Sequence, residues 1–138
     1  MTRSVARIAR GATSEKAPST NVALVRGRLV EAPSVRTLAR RERVASFDVA
    51  SLIHGRKAVI PVTASAVGLP SMKPGDEVTV LGHVRRRFFR VGGRTQGITE
   101  IVAEHVAVGT RSASVDKLRA VFSNRVRETR SSALPKGL

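Results

Sequence analysis

Between Glu77 and Phe89 every second position is occupied by Val78, Val80, Gly82 and Val84, and Thr79, Leu81 and His83 fill the positions between them. A period of two places these sets on opposite faces of an extended strand. Gly92-Gly93 then supplies a turn, and a second long run from Gln96 to Val108 carries Ile98, Ile101, Val102, Val106 and Val108. Strands this long outrun a small core, so the hairpin they form must project beyond it. The second run slips out of phase near Ile101, where a bulge is expected.

Three further runs precede this pair. Asn21 to Leu29 places Val22, Leu24 and Arg26 on one side and Ala23, Val25 and Gly27 on the other; Arg43 to Leu52 offers Ala45, Phe47 and Val49 as a core face; Lys57 to Thr63 follows the turn His54-Gly55-Arg56. Pro61 cannot donate to a ladder, so the third strand is expected to be an edge or bulged there. Pro33 and the arginines at 36, 40 and 41 read as a basic loop, Lys73-Pro74-Gly75-Asp76 as a turn, and Gly68 with Pro70 leaves Ala64 to Met72 one helical turn at most. Five strands with little helix predict an all-β chain, a small closed or partly closed barrel, for which the five-stranded oligonucleotide-binding (OB) fold is the best-populated candidate.

From Ser114 to Arg130, Val115, Leu118, Val121, Phe122 and Val126 recur at helical spacing, predicting an amphipathic helix that packs on its own barrel, with a docking element for a partner or an oligomer contact as the alternatives. The expected division is a basic arm over 1–20, the OB-fold domain over 21–110 and a C-terminal helix and tail over 111–138. The arm is expected to be disordered. As a helix it would set Arg3, Arg7 and Arg10 against Val5, Ile8 and Ala12, the composition of an organelle transit peptide, which stands as the alternative.

The 25 Lys and Arg against 10 Asp and Glu give a formal net charge of +15, which points to a polyanionic partner. Nucleic acid ranks first, a ribosome or acidic protein second, a membrane surface third. The chain has no cysteine, and His54, His83 and His105 lack metal-ligand spacing, so no metal or cofactor is expected. No apolar run approaches the roughly 20 residues that span a bilayer. Asp48, Asp76, Glu77, Glu100 and Glu104 are scattered, without paired carboxylates, a nucleophile and base, or a phosphate loop, so neither an enzyme nor any catalytic residue is expected.

A single strand of nucleic acid is gripped by cations along its phosphates and by flat rings against its bases. Alternation through Val84-Arg85-Arg86-Arg87-Phe88-Phe89-Arg90 divides that stretch: Arg85, Arg87 and Phe89 share one face, and Arg86, Phe88 and Arg90 continue the valine face. The candidate nucleic-acid-binding residues are Arg26, Arg28, Arg36, Arg40, Arg41, Arg56, Lys57, Arg85, Arg87, Phe89 and Arg94. Phe47 is expected in the core, Phe88 in the core or an oligomer interface, and Phe122 packing the helix.

The run Val22 to Ser51, with Gly27, Leu29, Pro33, Val35, Arg36, Val44, Ala45, Phe47 and Ala50, resembles the first hairpin of bacterial single-stranded DNA-binding proteins. Gly75 to Phe89 is similar to that family's fourth strand, and Glu100 to Val106 to its last. Over roughly Asn21 to Gly109 the resemblance implies an OB-fold barrel that assembles through sheet edges into dimers or tetramers and binds single-stranded DNA, with RNA possible, in support of replication, recombination or repair. It places the family's terminal aromatic on Phe89 and a basic position on Arg87. A cytoplasmic, nucleoid-associated protein is the expectation, with organellar targeting through the arm as the lesser one.

Four departures stand out. Arg40-Arg41-Glu42 replaces the first hairpin's Asn-Gly-like turn, Leu52 to Arg56 replaces a long wing that usually supplies aromatics, and Gly68 with Pro70 weakens the helix after the third strand. The closing Leu134-Pro135-Lys136-Gly137-Leu138 is unlike the family's acidic peptide, so recruitment of partners through an acidic tail is not expected. These departures favour an alternative: an OB-fold interaction module, primosome accessory-like or associated with a ribosome or RNA, that has lost single-strand binding.

Overall fold

The computed structural model of the chain describes residues 19–110 and 113–133. The arm expected over 1–20, apart from Ser19 and Thr20, and the tail after Ala133 lie outside them. Within these described residues six strands follow in order: β1 (Ala23–Leu29), β2 (Ser34–Thr37), β3 (Arg43–Ile53), β4 (Arg56–Ser65), β5 (Glu77–Val91) and β6 (Arg94–Val108), then one helix, α1 (Ala113–Ala133). They form one sheet in the order β1-β5-β6-β4-β3-β2, closed by pairing of β1 with β3.

That closed order is the expected OB-fold barrel, with its first strand in two pieces. β1 pairs with β5, Pro33 interrupts the chain, and β2 then pairs with β3. Arg28 and Leu29 bridge the two halves by pairing with Ala50 and Val49. This corrects the reading of Arg36 within a loop: Ser34–Thr37 is a strand, fully exposed and held by its ladder to Arg43–Ser46. Pro61 lies on the stretch of β4 that has β3 alone as partner, just before β6 joins in parallel at Val62 and Thr63. A missing donor is tolerated on such a stretch.

The interior holds Leu29, Phe47, Val49, Val62, Ala64, Val78, Val80 and Ile101. Ala66 to Asp76 forms no helix; Leu69 and Met72 from this loop pack against the barrel core instead. The middle of β5 is buried on both faces, since α1 covers the outer side: Val115 and Leu118, with Val121 and Phe122, pack on Leu81, Ala107, Val22 and Leu24. The predicted apolar stripe ends there, and Val126 is exposed. The bulge lies three residues beyond its expected place. Leu81 pairs with His105 and Gly82 with Ala103, so Glu104 is squeezed out of the ladder toward solvent. There it accepts a 2.5 Å hydrogen bond from Arg125 of α1 and lies 3.4 Å from His83 Nδ1.

Thr79, cross-strand from Arg26 and Ala107, is 1% exposed, and its hydroxyl has no hydrogen-bond partner among the described residues. A buried hydroxyl left unpaired carries its desolvation cost uncompensated. Thr79→Val keeps the shape and removes that cost. It is expected to stabilise the fold by about 1 kcal/mol, read as a higher denaturant midpoint.

Candidate nucleic-acid interface

Beyond the barrel, β5 and β6 continue as a two-stranded arm to the turn at Gly92-Gly93, where both residues take positive φ, 57° and 81°. Two glycines meet that requirement of a tight hairpin without strain. On one face of the arm Arg85 stands opposite Glu100, and Arg87 opposite Ile98. Glu100 is 3% exposed. Its carboxylate accepts hydrogen bonds from Arg85 Nη2 at 2.5 Å, Arg87 Nε at 2.9 Å and Thr63 Oγ1 at 2.8 Å. Arg87 in turn sets its guanidinium carbon 5.8 Å from the centroid of the Phe89 ring. A buried carboxylate thus ties both arginines down and, through Arg87, holds the guanidinium against the ring.

Burial opposes ionisation of Glu100, but the hydrogen bonds from Arg85, Arg87 and Thr63 outweigh it and hold the carboxyl below its ordinary range. A carboxylate whose folded pKa is depressed stabilises the fold above its unfolded value and loses that contribution as pH falls through the folded value. Wild type is therefore expected to lose stability relative to Glu100→Gln as pH is lowered below about 4.5. At neutral pH the variant is expected to be the less stable protein. Denaturant titrations at neutral and acid pH check both signs.

Two grooves open on the outer side of the barrel. One, of about 480 Å³, is lined by Arg36, Arg41, Arg43, Thr63 and Arg85 among others, with Glu42 as its acid. Arg41 reaches it from the β2–β3 turn, where it holds a φ of 66° and its N–H donates to the Leu38 carbonyl at 2.9 Å. The other, of about 720 Å³, is lined by Arg26, Arg28, Lys57, Ala50 and Leu52 among others. Val44 and Leu52 alternate onto the same side of β3, so the grooves lie toward opposite ends of that strand. Arg26 is ion-paired with Glu77 and donates to the Thr110 carbonyl at 2.9 Å, and Arg28 donates to the Gly75 carbonyl at 3.0 Å.

Eight of the eleven candidate residues thus separate into three sets. Arg36, Arg41 and Arg85 share the first groove, Arg26, Arg28 and Lys57 the second, and Arg87 with Phe89 flanks the arm. Arg40, Arg56 and Arg94 are exposed and line neither groove. Arg43 lines the first groove and was not foreseen; its signal was its place at the start of a strand beside Arg40 and Arg41. Glu100 as anchor was likewise missed, being legible only from the register of β5 on β6. Phe47 is in the core as expected. Phe88 is 64% exposed in the single chain, which overturns its expected place in the core and does not bear on an oligomer interface.

The turn joining β3 to β4 is His54-Gly55, and it carries no ring besides the imidazole. No family model matches the chain, and no curated protein matches it. Among solved structures it is similar to the single-stranded DNA-binding protein (SSB) of Plasmodium falciparum in complex with single-stranded DNA, with a TM-score of 0.59 and 19% identity over 67% of this chain and 97% of that one. That likeness is one of fold: an SSB-like OB barrel.

Proposed function

We propose that this chain binds single-stranded DNA across the outer face of its barrel and is a divergent relative of the bacterial single-stranded DNA-binding proteins, serving replication, recombination or repair as a dimer or tetramer. The observation that carries the reading is the pair of cation-lined grooves toward the two ends of β3, together with the Arg87–Phe89 stack on the arm. Its support from outside is the SSB-like fold, seen with single-stranded DNA in the Plasmodium protein. Cations spaced along a surface follow a phosphate backbone, and the ring offers a face to a base without selecting its identity.

One observation favours the second reading, an interaction module for duplex DNA or structured RNA. Arg85 and Arg87 already serve Glu100, which leaves fewer of their donors for a strand. Competition separates the two. Poly-dT is expected to displace duplex DNA and structured RNA from the full chain; failure to do so would replace single-strand binding with the second reading.

A further inference from the structure

The β5–β6 arm has a second face that the grooves do not use. Here Val84, Arg86, Phe88 and Arg90 of β5 stand beside Thr95, Gly97 and Thr99 of β6. By alternation this is the side of Val78 and Val80, but the strands have left the barrel and nothing covers it among the described residues: Phe88 and Val84 are both exposed. The Arg86 guanidinium carbon lies 5.2 Å from the centroid of the Phe88 ring. Both side chains lie across Gly97, where an added Cβ would come within 2.9 Å of Arg86 Nη2 and 3.1 Å of Phe88 Cε1. The missing side chain at 97 is what lets a cation and a ring lie together on the strand surface.

The two faces differ in charge. On the front, Glu100 accepts hydrogen bonds from both Arg85 and Arg87. The back row contains no acid, and neither Arg86 nor Arg90 makes an ion pair among the described residues. Arg90 is steadied instead by the Gly93 carbonyl at 2.9 Å and Thr95 Oγ1 at 3.4 Å. A second copy of a chain of net charge +15 brings like charge to this surface, and an apolar partner would bury two arginines without counter-charge. A single strand supplies both missing partners, phosphates for the arginines and a base for the open ring.

We infer that Arg86, Phe88 and Arg90 form a second stacking platform for single-stranded nucleic acid, so that a bound strand grips the arm on both faces. The inference rests on the single-strand binding proposed above. The test titrates the full chain with a fluorescent dT oligonucleotide of about 45 nucleotides, well beyond the site size of one OB fold. The Arg86→Ala/Phe88→Ala double variant is expected to bind about tenfold more weakly, with unchanged oligomer mass and unfolding midpoint, since both side chains are exposed. Gly97→Val, which pushes the pair off the strand, is expected to weaken binding in the same direction. Wild-type affinity in the double variant would overturn the platform and leave single-strand binding intact. A changed oligomer mass would make the face a contact between copies and overturn it as well. Absence of binding by wild type would remove both readings together.

Discussion

Gly82→Ala is expected to cost the fold about 3 kcal/mol, at the upper end of what one added methyl does in a packed core. A Cβ at this position would stand 2.0 Å from the Val102 carbonyl oxygen, 2.8 Å from its carbonyl carbon and 3.0 Å from Ala103 Cα. These are backbone atoms of the paired strand, so no rotamer change relieves the contact. The site is also where the β5–β6 register shifts to eject Glu104. To admit a methyl the strands must separate at the bulge, which breaks ladder bonds beside the core and disturbs the Glu104 contacts to His83 and Arg125 that join barrel to helix. Gly97→Ala is the control: its Cβ would meet the ends of the Arg86 and Phe88 side chains, which can move, and the cost is expected to stay below about 1 kcal/mol. Denaturant midpoints of the two variants measure the contrast; equal costs would mean that close backbone approach is not what Gly82 provides.

Alternation is a local signal, and it located every strand that buries one face. β1, β3, β4, β5 and β6 each carry an apolar residue at every second position through the barrel, and α1 shows its helical spacing as far as Phe122. β2 was illegible because it buries nothing: Ser34–Thr37 is a strand by hydrogen bonding alone. The core placement of Phe88 failed for a related reason, while its oligomer-interface placement is untouched by exposure in a single chain. Parity tells which side a residue takes, whereas burial depends on whether the barrel still lies beneath it, and β5 has run past the barrel by then. The bulge announced itself as a phase slip near Ile101, but its position is set by the partner strand at Leu81 and Gly82. The role of Glu100 required the same pairing, since a lone acid between Thr99 and Ile101 says nothing of Arg85 and Arg87 until the hairpin register brings them opposite. The candidate cations were legible as a class from net charge, and their division into two grooves came only with the fold.

Affinity for single-stranded DNA is expected to fall at least about a hundredfold between about 50 and 200 mM salt. Five cations line the grooves without an ion pair among the described residues: Arg28, Arg36, Arg41, Arg43 and Lys57. Each phosphate they neutralise releases condensed counterion, and for single strands the slope of log affinity against log salt is about 0.7 per contact, which for the five groove contacts is about 3.5; a strand that also engages Arg86 and Arg90 on the back of the arm adds about 1.4. Arg26, Arg85 and Arg87 already face carboxylates, so a phosphate meeting them exchanges one anion for another and adds less to the slope. Arg36, Arg41 and Arg43 changed together to alanine should therefore reduce the slope by about 2, whereas Arg85→Ala should alter it little. Phe89→Ala should lower affinity at every salt concentration and leave the slope unchanged, because a stacked ring releases no ions. Fluorescence titrations at four salt concentrations distinguish these behaviours. A wild-type slope near zero would place the strand away from the grooves, and a slope that falls equally for Arg85→Ala would show that Glu100 yields its arginines to the phosphates when DNA binds.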